Sequence, residues 1–77
     1  MKINILSFGQ VAEALKANQL LLTDMDNTDR VLSYLLTAYP QLQTMEFTLA
    51  VNKQLIHGNT ALKDDDTLAL LPPFSGG

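Results

Sequence analysis

The stretch TDRVLSYLLTAYP, Thr28–Pro40, decides the fold. Its apolar residues Val31, Leu32, Leu35, Leu36 and Tyr39 follow one another at steps of one, three, one and three. That spacing lays them along one stripe of an α-helix. Thr28 is the expected N-cap, and Asp29 sits favourably near the positive end of the helix dipole. Pro40 disfavours helical geometry at Tyr39, so the helix stops there. A helix with a single apolar stripe must cover something apolar. The segments on either side read as strands.

Upstream, Met1–Phe8 is a strand candidate. Ile3 and Ile5 alternate with Lys2 and Asn4, which puts Leu6 and Phe8 on the face opposite Ile3 and Ile5. Val11–Lys16 reads as a short helical turn. Gln19–Thr23, with Leu20, Leu21 and Leu22, is a second strand that pairs with the first. Asp24–Asn27 is polar turn chemistry. Downstream, Phe47, Leu49 and Val51 alternate with Thr48, Ala50 and Asn52, so Phe47–Asn52 is a third strand. A tight turn at Asn52-Lys53 leads into a short strand, Gln54–His57, and Gly58-Asn59 turns the chain again. Asp64-Asp65-Asp66 reads as a solvated loop and Thr67–Leu71 as the last strand. Pro72-Pro73 cannot donate ladder hydrogen bonds and ends it.

The order strand, strand, helix, strand, short strand, strand predicts an α+β fold of the β-grasp, ubiquitin-like kind. A mixed sheet carries one main helix on one face. The domain spans 1–71, and 72–77 form an extended tail. The helix leaves the other face of the sheet open. If Leu68 and Leu70 meet the helix, Leu71 points away from it by strand parity; if Ile56 points inward, Leu55 points outward.

The chain has 77 residues and 47% apolar content, which suits one domain with one modest core and a thin stability margin. Cysteine is absent, which excludes disulfides, a thiol nucleophile and a Cys-based metal site. A net charge of −3 argues against nucleic acid, whose backbone needs a positive surface. No apolar run reaches membrane-spanning length, and Met1–Ile5 lacks the character of a signal segment, so a cytoplasmic location without a membrane partner is expected.

The usual catalytic sets are missing. His57 stands alone and reads as a surface residue. The Asp64–Asp66 run lacks the ligand spacing of a calcium loop, so no metal site is expected. Ser75 has no base to activate it. Gly9 and Gly58 are isolated and build no phosphate cradle. What remains is the end, Gly76-Gly77. At ~7% glycine usage, two terminal glycines occur by chance in about 0.5% of chains. A core strand runs straight into Pro72-Pro73-Phe74, which launches the end stiffly from the fold. Glycine then removes all side-chain bulk, so the tip fits a narrow channel and offers its carboxylate. A carboxylate is a poor electrophile and needs activation, for example as a mixed anhydride with AMP. With no thiol in the chain, no cysteine of its own can attack an activated end.

The closing segment Asp64-Asp65-Asp66-Thr67-Leu68-Ala69-Leu70-Leu71-Pro72-Pro73-Phe74-Ser75-Gly76-Gly77 resembles that of the molybdopterin synthase small, or sulfur-carrier, subunit family. There an acidic loop, an apolar strand, Pro-Pro, a hydrophobe, a small residue and Gly-Gly follow in that order. Ala50-Val51-Asn52 is similar to the family's third-strand signature, and Phe8-Gly9-Gln10-Val11-Ala12-Glu13 to its first-strand exit. The resemblance implies that a ubiquitin-activating-like adenylyltransferase uses ATP to adenylate Gly77. A sulfur donor protein then gives a thiocarboxylate. The tail of Pro72, Pro73, Phe74, Ser75 and Gly76 delivers the sulfur to a cyclic pyranopterin phosphate inside the synthase large subunit. Two such transfers build the dithiolene that holds molybdenum or tungsten. The carrier itself is non-catalytic and holds no permanent cofactor. Phe8, Leu55, Leu71 and Phe74 are the expected anchors for the large subunit. Two departures stand out: Ala12 where family members often carry Arg, and Asp65 where they often carry Gly.

Three other readings compete. A carrier for the thiamin thiazole pathway usually lacks the Pro-Pro-hydrophobe approach found at Pro72, Pro73 and Phe74. A ubiquitin-like modifier would join its terminal carboxyl to a lysine. An interaction module with an incidental Gly-Gly end would be indifferent to loss of Gly77.

Overall fold

Along the first strand Ile3, Ile5 and Ser7 are buried, while Asn4 and Leu6 between them are half-exposed, and that alternation anchors the sheet. The computed structural model describes residues 1–73. The elements run β1 (Lys2–Ser7), α1 (Gly9–Leu15), β2 (Gln19–Thr23), α2 (Thr28–Ala38), a 3₁₀ helix (Pro40–Thr44), β3 (Thr48–Val51), β4 (Gln54–Leu55) and β5 (Thr67–Leu71). The five strands form one sheet in the order β2-β1-β5-β3-β4. β1 and β5 lie side by side in parallel, and the other neighbours are antiparallel. This is the mixed β-grasp sheet that the sequence predicts.

Val31 and Leu35 of α2 are fully buried in one cluster with Ile3, Ile5, Leu68 and Leu70. Leu36, Tyr39, Phe47, Leu49 and Val51 pack around it. Leu32 is half-buried and instead lines a shallow groove with Phe47, Leu49 and Ile56. The α2 stripe is the expected one, and the helix ends before Tyr39 as Pro40 requires. The cap differs from expectation. Asn27, not Thr28, is the N-cap, and its side chain accepts the Arg30 amide at 2.9 Å. Thr28 is buried because its hydroxyl accepts the Thr60 amide at 2.9 Å while its own amide donates to the Thr60 carbonyl. Asn59 Oδ1 takes the Asp29 amide at 2.9 Å. A distant loop therefore engages Thr28 and takes the Asp29 amide, which leaves the Arg30 amide to Asn27.

Other boundaries shift by a residue or two. β1 ends at Ser7, whose Oγ donates to the Ala17 carbonyl at 2.7 Å. Phe8 takes an extended conformation ahead of α1. α1 starts at Gly9 and ends at Leu15, before the expected Lys16, which turns into left-handed geometry at φ 59. β3 lacks Phe47 and Asn52, and β4 is only Gln54–Leu55, with Ile56 adding one bond to the Leu49 carbonyl. The 3₁₀ helix was not expected. It exists to bury Leu42 behind Pro40.

The Asp64–Asp66 loop is more than a solvated turn. Asp64 accepts the Lys2 amide at 2.6 Å. Asp66 accepts from the Asn52 side chain at 2.9 Å and from the Lys63 amide at 2.8 Å. These bonds hold the Asp66 carboxyl below its ordinary range, the Asn52 bond contributing most. Asp65 has φ 68, the left-handed geometry for which glycine is the low-cost residue.

Candidate functional site

Strand parity and register build the open face of the sheet. Leu6 lies opposite Ala69, Ala69 opposite Ala50, and Ala50 opposite Leu55. This row crosses four strands with two alanines in its middle. Small side chains there leave a trough between larger walls. The trough measures about 560 Å³ and is lined by Leu6, Phe8, Ala50, Leu55, Ala69 and Leu71, with Asn52, Lys53 and Thr67 closing one end. Leu55 is 57% exposed and Phe8 46% exposed, a high degree for such large apolar side chains. Ala50 is nearly inaccessible on this face because its larger neighbours shade it.

Of the expected anchors, the structure brings Phe8, Leu55 and Leu71 to the same trough. Phe74 lies outside the described residues, as do Ser75, Gly76 and Gly77. Leu6, which alternation already places on this face with Phe8, is not among the expected anchors, and neither are Ala50 and Ala69. Leu21, 58% exposed on the neighbouring edge strand β2, shares this face through its pairing with Asn4.

Pro72 leaves β5 half-buried, and Pro73 is exposed. They border a second groove with Gly9, Gln10, Val11, Thr44, Met45 and Glu46. Gly9 stands at φ +58 with Pro72 against it. The root of the tail is thus seated on the start of α1, beside the Phe8–Leu71 end of the trough.

His57 is exposed and adjoins a separate groove near Asp29 and Gly58. Among the described residues, no three His, Cys, Asp or Glu side chains cluster closely enough to share a metal ion. Among them, too, no helix is long and apolar enough to cross a membrane.

A β-grasp sheet with an apolar open face, its last strand running into Pro72-Pro73, is the ubiquitin-like architecture. The family model described as the ThiS family matches residues 5–77, and the chain belongs to that family. The chain is similar to the "Molybdopterin synthase sulfur carrier subunit" of Chlamydomonas reinhardtii, with 32% identity over 83 residues covering all of both chains. Among solved structures it resembles a chain in the "Protein-protein complex of subunit 1 and 2 of Molybdopterin-converting factor" from Helicobacter pylori. That match has a TM-score of 0.77 and 26% identity, with both chains fully covered. It also resembles small archaeal modifier protein 1 from Methanosarcina acetivorans, with a TM-score of 0.83 and 26% identity over 99% of this chain and 96% of that one. The resemblance read from the Pro72–Gly77 ending holds across the whole chain.

Proposed function

We propose that the chain is the sulfur carrier of a molybdopterin synthase and works through the carboxylate of Gly77. The observation that carries this reading is the full-length match to a curated sulfur-carrier subunit, Gly-Gly end included. ATP, used by a ubiquitin-activating-like adenylyltransferase, converts the carboxylate to an acyl adenylate and releases pyrophosphate. Sulfur at the sulfide oxidation level, supplied by a donor protein, attacks the acyl carbon and expels AMP. The product is a thiocarboxylate. Inside the large subunit that sulfur passes to a cyclic pyranopterin phosphate, and water returns the carboxylate. The chain supplies no catalytic group to these steps. It supplies the reactive end and a docking surface, which is the trough around Ala50 and Ala69. The Helicobacter pylori complex of subunits 1 and 2 supports a large-subunit partner. A cytoplasmic setting, where ATP is available, fits this chemistry.

The test is the intact mass of the chain after incubation with ATP, the activating enzyme and a sulfur source. The expected result is a gain equal to the difference between sulfur and oxygen. An unchanged mass, under conditions that convert an established carrier, overturns the reading. The likeness to an archaeal modifier protein favours one second reading, an amide between Gly77 and a lysine of another protein. That reading calls for lysines that carry the Asp64–Gly77 branch after trypsin digestion, since Lys63 is the last basic residue of the sequence, and a pure sulfur carrier leaves none.

A further inference from the structure

The turn between β3 and β4 contains two residues, Asn52 and Lys53, because Val51 pairs directly with Gln54. Both have positive φ, 48 and 73. A two-residue hairpin turn of this kind favours asparagine followed by glycine. Asn52 has local reasons to be there. Its side chain donates to Asp66 at 2.9 Å and accepts the Thr67 amide at 3.0 Å. Lys53 has no such reason. A left-handed backbone costs an L-residue what glycine avoids. Among the described residues no carboxylate forms an ion pair with Lys53, and no side-chain hydrogen bond engages its ammonium group. Lys53 nevertheless lines the trough, where its neighbours Leu6, Phe8, Ala50, Leu55, Ala69 and Leu71 are all uncharged. The trough thus carries a single cation at its rim, on a chain whose net charge is −3.

A strained residue whose charged group has no partner inside the described fold points to a partner outside it. We infer that Lys53 is a specificity-determining residue of the docking trough, which reads a carboxylate carried by the synthase large subunit beside the apolar ridge seated over Ala50 and Ala69. The inference rests on the docking reading above and adds the chemistry of the matching site. The partner presents an apolar projection with an Asp or Glu at the β4 end. Charge at the rim of an interface governs partner choice and association rate more than total affinity. The Lys53 stem also covers apolar surface, so the stem and the charge have to be separated.

Lys53→Met does so, keeping the stem and the left-handed backbone while removing the charge. Lys53→Arg keeps the charge. Wild type and both variants are titrated against the large subunit at about 0.01 M and about 1 M ionic strength, where the Debye length is ~30 Å and ~3 Å. The expected result is an affinity loss on the order of five-fold for Lys53→Met at low salt, little difference at high salt, and near wild-type behaviour for Lys53→Arg. Equal affinity of wild type and Lys53→Met at low salt overturns the inference and leaves the docking reading standing. A loss that persists undiminished at high salt also overturns it, since packing then accounts for the effect. No binding by wild type in either condition overturns the docking reading and this inference together.

Discussion

Gly9 and Pro72 meet at the root of the tail, where a Cβ built on Gly9 would stand 3.8 Å from Pro72 Cγ. That is ordinary contact distance, so space does not forbid a side chain. The backbone does, because Gly9 has φ +58. Gly9→Ala is expected to cost about 1–2 kcal/mol. Gly9→Asn should cost less, since asparagine visits left-handed geometry more readily, and Gly9→Val should cost most. Urea unfolding of the three variants gives the order directly. Equal losses for Ala and Asn would contradict the backbone argument.

The Asp66 carboxyl is held below its ordinary range chiefly by the Asn52 side chain and then by the Lys63 amide, with burial opposing them and the Lys63 charge contributing least. The folded state therefore prefers the carboxylate, and the unfolded state binds the proton first as pH falls. Stability from this group is complete above the unfolded value of about 3.9 and is lost as pH drops through the lower folded value. Asp66→Asn should be less stable than wild type near neutrality and should lose part of this acid dependence. Urea midpoints collected from about pH 7 to about pH 2 test this. Parallel acid limbs for wild type and variant would exclude Asp66 as a contributor.

Leu35 lies at the centre of the α2 stripe and is fully buried. Leu35→Ala is expected to lower unfolding free energy by about 2–5 kcal/mol, which is a large share of the stability of so small a domain. Denaturant unfolding with an unchanged m-value checks it. A loss below about 1 kcal/mol would mean that the site collapses around the smaller side chain.

What the sequence made legible, and what it did not, divides by the range of the interaction. The period of Val31, Leu35 and Tyr39, the alternation of Ile3 and Ile5, and the stop at Pro40 are local signals, and each gives the right element. The cap is misread because Asn27 and Thr28 are both good capping residues. The choice between them is made by Asn59 and Thr60, some thirty positions away. The Asp64–Asp66 run is a turn with Asp64 and Asp65 exposed, as expected, but its hydrogen-bond partners Lys2 and Asn52 arrive through the sheet and leave no local signal. The 3₁₀ helix at Pro40–Thr44 shows no periodicity, and Leu42 alone holds it to the core. On the open face, parity is enough to gather Phe8, Leu55 and Leu71. The two alanines that make the trough concave carry no signal of their own, and neither does the geometry of Lys53.

Deleting Gly77 moves the terminal carboxylate onto Gly76, one residue short of the position to be activated, and leaves every residue of the buried cluster in place. The truncated chain should unfold at the wild-type urea midpoint and yield no thiocarboxylate in the mass assay. Normal conversion of the shortened chain would refute the role given to Gly77.

Leu55 and Leu71 test the docking surface from its two sides. Leu55 is more than half exposed at the free edge of the sheet, so Leu55→Asp should leave stability within about 0.5 kcal/mol of wild type. Leu71 is half-buried beside Thr48 in β5, and Leu71→Asp should cost somewhat more without unfolding the domain. In the proposed complex both positions lose water, and a carboxylate placed in that apolar contact carries a desolvation cost. Each variant should therefore weaken binding to the large subunit by about 2 kcal/mol or more, roughly thirty-fold. Phe8→Ala, truncating an aromatic wall of the same trough, should fall in the same direction. Calorimetric titration of the three variants, with their folds checked by circular dichroism, separates docking from stability. Wild-type affinity in both Asp variants would put the docking surface elsewhere on the molecule. A loss at Leu71 alone would confine it to the end nearest the tail root, where Phe8, Gly9 and Pro72 converge.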